Sequence, residues 1–201
     1  MPSSISSGHF SSRHFLCCSA GCPSGVGKTF RRSGPYLITP NHLSIADPAL
    51  VMSAMPWRIG AKTFFLGITK FFGSPITSRI AKLVQVIPVD METKLYNALQ
   101  LSAHVLRQGR ILCVFPEGAR ARDGMLKQFK KGVGIIAKEL NVPLIPTAIR
   151  GTYEMLSTGG KLPRPSKVAI TFGKPLYPGD MGYDEIAGNL RNEVMKLMEE
   201  G

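Results

Sequence analysis

The chain lacks a hydrophobic run long enough to cross a membrane. None of its apolar stretches reaches the roughly 18 uninterrupted residues that a transmembrane helix requires. The most apolar candidate, residues 59–72, is interrupted by Lys62 and Lys70 and contains phenylalanine pairs at 64–65 and 71–72. This pattern fits either an amphipathic segment lying at a membrane interface or an ordinary helix that faces the core, because both have one apolar side.

Acidic residues are also scarce. The 201 residues include 13 Asp and Glu against 25 Lys and Arg, which gives a formal net charge of +12 at pH 7. Such an excess indicates an anionic partner, either nucleic acid, a membrane surface or a phosphorylated ligand. We expect no nucleic-acid partner, because the sequence shows neither a known reading module nor basic residues interleaved with aromatics in a recognition element.

Three common kinds of site are missing from the sequence. The four cysteines form no paired C-x-x-C framework, so we expect no metal site, and Cys113 is expected to be a small buried hydrophobe. No serine stands in a G-x-S-x-G elbow. Residues 22–29 approach a P-loop, but Cys22 replaces its first glycine and no helix follows. A P-loop nucleotide-binding protein, in which Lys28 would matter, is kept only as an alternative.

The composition divides the chain into a tail and one domain. Residues 1–30 are rich in Ser and Gly, and no acidic residue precedes Asp47. We interpret this stretch as an atypical, disordered N-terminal extension, or alternatively as a transit peptide that directs the chain to an organelle. Residues 31–201 are long enough for a full hydrophobic core and are expected to form a single domain.

Within that domain, apolar runs alternate with helical periodicity. This alternation predicts an α/β fold with a mostly parallel sheet flanked by helices. The expected strands are 36–39, 85–89, 111–115, 144–149 and 168–172. The expected helices are 48–55, 76–83, 95–106, 132–140 and 183–199, with Gly109 ending the third.

The first predicted strand leads into the most informative motif. The strand breaks at Pro40, His42 falls in the turn that follows, and Asp47-Pro48 opens the next helix. Asp47 is expected to be the N-cap of that helix. Its carboxylate can fold back onto the imidazole of His42 and raise its basicity, which makes a general base for any hydroxyl in reach. The alternative is a plain helix cap beside an ordinary turn residue.

A second motif, Phe115-Pro-Glu-Gly-Ala-Arg120, follows the strand predicted at 111–115. Pro116 and Gly118 predict a turn, so Glu117 and Arg120 emerge at the carboxyl end of a strand, where ligands bind in open α/β sheets. The guanidinium of Arg120 suits a phosphate. The alternative is a surface ion pair within a solvated basic loop. That loop continues through Arg122, Lys127, Lys130 and Lys131.

Together the two motifs resemble the glycerolipid acyltransferases of the HxxxxD type, which acylate lysophospholipids. Two weaker blocks follow the same order, the first at 71–73 with 86–90 and the second at 142–149, so the resemblance covers about residues 33–178. The chain departs from the family pattern at two positions. Met91 stands where family members commonly have an arginine thought to help hold the phosphate, and Ala119 stands where threonine is more frequent.

The resemblance implies direct acyl transfer from a thioester to a lysolipid hydroxyl, without a covalent acyl-enzyme. His42 would be the general base and Asp47 would orient it. The resemblance assigns substrate binding to Asn41, Glu117, Gly118, Arg120 and Lys131. The Gly118 turn and Arg120 can also supply donors to the developing oxyanion.

The same resemblance indicates the other participants. The donor would be acyl-CoA or acyl carrier protein, with no metal and no further cofactor. The expected acceptor is 1-acyl-sn-glycerol-3-phosphate, giving phosphatidic acid, and the alternative is another lysophospholipid such as lysophosphatidylethanolamine. Because these substrates live in membranes, we expect peripheral attachment to the cytoplasmic face of a membrane.

Overall fold

A computed structural model describes residues 14–16, 34–68, 79, 85–89, 94–156 and 164–200. Its strands are β1 (His14–Leu16), β2 (Tyr36–Pro40), β3 (Thr63–Ile68), β4 (Val86–Val89), β5 (Ile111–Cys113), β6 (Leu144–Arg150) and β7 (Ala169–Phe172). Its helices are α1 (Asp47–Ser53), α2 (Trp57–Gly60), α3 (Lys94–Arg107), α4 (Gly132–Glu139), α5 (Thr152–Met155) and α6 (Tyr183–Glu199).

The strands form one sheet in the order β1-β7-β6-β2-β5-β3-β4. Every neighbouring pair from β6 through β2, β5 and β3 to β4 is parallel. β7 runs antiparallel to both β6 and β1. The predicted α/β class with a mostly parallel sheet flanked by helices is therefore confirmed.

The sheet is buried on both faces, which explains why its strands are continuous apolar runs. All five residues of β2 are buried, although successive side chains point to opposite faces. Leu37 joins one core cluster with residues of α3, α4 and α6. Tyr36 and Ile38 join another with residues of α1 and α2. The helices thus cover the two faces in separate groups.

The predicted boundaries hold to within one or two residues for most elements, and α6 matches its predicted span of 183–199. Gly109 follows the end of α3 with a φ of +69°, as a helix-terminating glycine does. The short helices α2 and α5 were not predicted. The helix expected at 76–83 lies outside the described residues except for Arg79, and so do Phe71 and Phe72.

Two expectations need correction. Residues 63–68 form the strand β3, inside the sheet between β4 and β5, and Phe65 is 1% exposed. This part of the 59–72 segment is therefore neither a membrane-facing stripe nor a core-facing helix. Residues 14–16, inside the stretch expected to be disordered, form β1 at the edge of the sheet. The division of the chain at residues 30 and 31 stays a prediction.

The topology brings three loops together. β2, β5 and β6 are parallel neighbours, so the segments that follow their carboxyl ends leave the same edge of the sheet. These segments begin at Asn41, Val114 and Gly151. Both sequence motifs lie in the first two of them.

Candidate active site

His42 and Asp47 are in direct contact. The Nδ1 atom of His42 lies 2.8 Å from Oδ2 of Asp47. The Asp47 side chain is fully buried, whereas the His42 side chain is 17% exposed. If Nδ1 donates to the carboxylate, the lone pair of Nε2 is available to accept a proton from a substrate. The predicted contact between these two residues is present.

Asp47 does not cap its helix, contrary to the prediction. The N-cap of α1 is Ala46, and no side chain caps the helix. Oδ2 of Asp47 instead accepts the backbone N–H groups of Leu43 and Ser44, at 2.7 and 2.8 Å. The carboxylate therefore turns back onto the loop that carries His42. One oxygen both folds this loop and faces the imidazole.

Phe115 fixes the plane of the imidazole. Its ring stacks on His42 with centroids 4.0 Å apart and an interplanar angle of 23°. The contact joins the loop after β5 to the loop after β2. Stacking on one face and a carboxylate at Nδ1 leave the imidazole little freedom to rotate. Sequence reasoning did not identify this residue as part of the site.

Glu117 holds the main chain of the site together. Its Oε1 accepts the backbone N–H of His42 at 2.8 Å, and its Oε2 accepts that of Lys127 at 3.3 Å. Burial raises the pKa of this carboxyl, while the two N–H donors and the charges of His42 and Lys127 oppose the rise. Its two oxygens face backbone donors in this structure, and its assignment to acceptor binding stays a prediction.

Asn41 joins two strands of the sheet through its side chain. Its Nδ2 donates to the carbonyl of Ile149 at 3.0 Å, and its Oδ1 accepts the N–H of Ile149 at 2.7 Å. The side chain is fully buried. It joins the carboxyl ends of β2 and β6 where the backbone ladder between them ends. Its assignment to substrate binding stays a prediction.

Gly118 makes the tight turn of the second motif. Its φ is +72°, a left-handed conformation that favours glycine. Its N–H donates to the carbonyl of Phe115 at 3.1 Å, so this donor serves the turn instead of an oxyanion. A Cβ on Gly118 would lie 2.6 Å from Nζ of Lys130. The ammonium of Lys130 therefore rests on the turn.

Lys130 is the lysine that the structure brings to this turn. Lys131, which the resemblance assigned to substrate binding, is the N-cap of α4, and both lysines are exposed. The two lysines are adjacent in sequence, so composition alone could not distinguish them. Arg120 lies half-buried in the same loop, and Nζ of Lys127 donates to its carbonyl at 3.2 Å.

These contacts place a base beside a cationic loop. The N–H of Ala121 donates to the carbonyl of His42 at 2.8 Å, which joins the basic 120–131 loop to the histidine. The arrangement can take a proton from a hydroxyl whose molecule carries an anionic group nearby. Among the described residues, no group of three or more His, Cys, Asp or Glu could hold a metal ion. Residues 22–29, the near P-loop, are outside the described ranges.

Comparison with known proteins identifies the family. The family model named Acyltransferase matches residues 26–150, which include the His42–Asp47 pair and the turn at Gly118. The chain belongs to the acyltransferase family. The resemblance noted from the two motifs is thereby confirmed. The match ends at the last residue of β6, so α5, β7 and α6 lie beyond it.

Curated members of this acyltransferase family are similar to much of the chain. The 1-acyl-sn-glycerol-3-phosphate acyltransferase BAT2, chloroplastic, of Brassica napus is 27% identical over 168 residues, covering 82% of this chain and 46% of that protein. The probable 1-acyl-sn-glycerol-3-phosphate acyltransferase of Mycoplasma pneumoniae is 26% identical over 172 residues, covering 79% and 64%. The chain thus spans about half the length of its plant relative.

A solved acyltransferase has the same fold. The crystal structure of the 1-acyl-sn-glycerophosphate acyltransferase PlsC from Thermotoga maritima superposes with a TM-score of 0.74 at 24% sequence identity. The superposition covers 88% of this chain and 70% of that one. It therefore includes much of the region beyond residue 150 that the family model leaves out.

Proposed function

We propose that this chain transfers an acyl group from an acyl thioester to the free hydroxyl of 1-acyl-sn-glycerol-3-phosphate, giving phosphatidic acid. The observation that carries the proposal is the His42–Asp47 pair, with Nδ1 and Oδ2 2.8 Å apart, joined to a cationic loop at the carboxyl edge of the sheet. The family and the names of its similar members support the reaction class and the acceptor.

In the proposed reaction, Nε2 of His42 takes the proton of the acceptor hydroxyl as its oxygen attacks the thioester carbonyl carbon. Asp47 stabilises the imidazolium that forms. Collapse of the tetrahedral intermediate breaks the carbon–sulfur bond, and the imidazolium returns its proton to the leaving thiolate. The step needs no covalent acyl-enzyme, no metal and no further cofactor. General-base catalysis of this kind contributes typically ~10²–10⁴ in rate.

The acceptor phosphate would be held by Arg120 and Lys130. Arg120 offers a planar fork of donors and Lys130 a compact charge at the Gly118 turn. Lys130 and Lys131 are both exposed, but Nζ of Lys130 lies at the Gly118 turn, so we assign Lys131 only a long-range attraction. The alternative acceptor is another lysophospholipid such as lysophosphatidylethanolamine, since Met91 replaces an arginine common in the family.

The donor would be acyl-CoA or acyl carrier protein. Both present a thioester on a phosphopantetheine arm, and the excess of basic residues favours either of these acidic partners. A transfer assay with each donor at equal acyl length decides between them. Higher kcat/KM with the protein-bound thioester would identify acyl carrier protein as a partner.

We also propose that the site edge docks on an anionic membrane surface. No helix in the described part of the chain is long and apolar enough to cross a bilayer. Ile45 in the His42 loop is 53% exposed, and Met125 in the basic loop is 66% exposed. These exposed apolar side chains can insert into a membrane surface, and the basic residues around them attract anionic lipids. The cytoplasmic face is the expected side, or an organelle membrane if residues 1–30 are a transit peptide.

The test is acyl transfer by the purified chain to a panel of lysophospholipids, followed by thiol release and by product analysis. The panel should contain lysophosphatidic acid, lysophosphatidylethanolamine and lysophosphatidylcholine with one acyl length. Preference for lysophosphatidic acid supports the proposed acceptor. Turnover only with an uncharged or zwitterionic head group would contradict the phosphate site, and thiol release without an acylated product would indicate a hydrolase.

A further inference from the structure

Arg191 of α6 reaches the loop that carries the site. Its Nε donates to the carbonyl of Lys127 at 3.1 Å, and one of its terminal nitrogens donates to the carbonyl of Leu126 at 3.4 Å. The guanidinium is part-buried, 64 residues along the chain from Lys127. Arg191 lies well beyond residue 150, where the family match ends.

The contact continues to the catalytic histidine through the backbone. Lys127, whose carbonyl accepts from Arg191, gives its own N–H to Oε2 of Glu117. Oε1 of the same carboxylate accepts the N–H of His42. Three hydrogen bonds and the backbone of Lys127 therefore connect Arg191 in α6 to Glu117 and then to His42.

We infer that Arg191 is a positioning residue for the candidate active site, acting through Lys127 and Glu117 on His42. Ordering a loop that has no regular structure costs conformational entropy, and contacts with other elements must offset that cost. Arg191 supplies that restraint from a helix whose neighbouring residues Leu190 and Val194 are buried in the core. The catalytic consequence rests on the proposed acyl transfer, whereas the restraint on the loop does not.

The restraint can be measured without any activity. Histidine labelled with ¹⁵N gives four backbone signals at most, and the His42 signal is the one lost in His42→Ala. Its shift should follow the ionisation of Glu117, which accepts its N–H, and this step should vanish in Glu117→Gln. The charged groups that face Glu117 are His42, across the loops, and Lys127.

In Arg191→Ala the Lys127 N–H is expected to leave Glu117. Because that N–H stabilises the ionised carboxyl, its loss raises the pKa of Glu117 and moves the step to higher pH. Arg191→Lys should shift it less, since an ammonium reaches one carbonyl only. Lys196→Ala is the matched control, because Lys196 is exposed on the same helix and pairs with Glu193. An unchanged midpoint in Arg191→Ala would overturn the inference.

Activity provides a second, separable readout. We expect Arg191→Ala to lower kcat about ten-fold or more. The double variant with Glu117→Gln should lose no more of kcat than the more damaging single variant, since the two residues act in series. Independent, additive losses would contradict a shared path. If no variant or wild-type chain turns over any lysophospholipid, the proposed function fails, and the shift of the His42 signal still decides the role of Arg191.

Discussion

At the residue scale, the candidate site depends on His42, whose side chain is mostly enclosed by neighbouring side chains. Asp47 faces Nδ1 and Phe115 covers one face of the ring. The sequence predicted the pair because a loop histidine five residues before a helix start is a local pattern. It could not predict the contact of Phe115, which comes from the loop after β5 and looks like one more apolar residue.

Replacement of His42 by alanine is expected to abolish transfer while the fold persists. Loss of a general base costs typically ~10²–10⁴ in rate. The folded state changes little, because the backbone N–H of residue 42 still reaches Glu117. Thiol release measures the first effect and thermal unfolding the second. His104→Ala, an exposed histidine on α3, is the control. Transfer by His42→Ala at the wild-type rate would exclude the mechanism.

Asp47→Asn is expected to impair both activity and stability. The imidazolium loses its counter-charge, and in a serine protease the equivalent change lowers kcat roughly 10⁴-fold. Three donors converge on Oδ2, from His42, Leu43 and Ser44, so weakening these charge-assisted bonds should cost about 1–3 kcal/mol. Turnover and chemical denaturation measure the two effects. Asp123→Asn, at an exposed carboxylate on the basic loop, is the control and should change neither turnover nor stability. Unchanged turnover in Asp47→Asn would leave Asp47 a purely structural role.

At the scale of elements, most strands and helices were predictable because the pattern of burial is local. β3 was missed along with β1 and the short helices α2 and α5, and the reason for β3 is physical. Phe65 packs in one core cluster while Phe64 and Leu66 pack against the other, so both faces are apolar and no alternation shows in the sequence. A short apolar run of this kind cannot be told from part of a helix.

The roles of Asn41 and Glu117 were unpredictable for a related reason. Their partners are backbone groups 108 and 75 residues away, and a sequence pattern does not show which distant N–H or carbonyl a side chain will meet. Only the order of strands in the sheet brings Ile149 beside Asn41. The motifs therefore predicted which two segments meet better than they predicted the contacts of each side chain.

The loop after β5 allows its two adjacent lysines to be distinguished. Lys130→Ala is expected to raise the Michaelis constant for the acceptor several-fold and leave that for the thioester nearly unchanged, because the ammonium lies at the Gly118 turn. Lys131→Ala, with the same loss of charge, should have a smaller effect. Initial rates with each substrate varied in turn measure both constants. Equal effects of the two substitutions would indicate general attraction rather than a phosphate contact.

At the scale of the whole molecule, the net charge of +12 and the position of the exposed apolar side chains suggest a membrane orientation. Ile45 and Met125 are on loops at the carboxyl edge of the sheet, next to the candidate site. These loops are contiguous: Ala121 bonds to the carbonyl of His42, and Ser44 bonds to that of Leu156. A lipid acceptor could then enter the site directly from the surface.

Ile45→Ser with Met125→Ser is expected to weaken binding to anionic vesicles, because the apolar term of interfacial attachment is removed. High salt should weaken binding of the wild-type chain as well, through the Coulombic term. Sedimentation with vesicles of phosphatidylglycerol and phosphatidylcholine measures both, and thermal unfolding checks the fold. Trp57→Ser is a demanding control. The Trp57 side chain is 85% exposed. Its helix, α2, ends beside Gln85, the residue before β4, so α2 lies at the amino edge of the sheet, opposite the candidate site. If Trp57→Ser releases the chain from vesicles and the double variant does not, the membrane contacts the other edge.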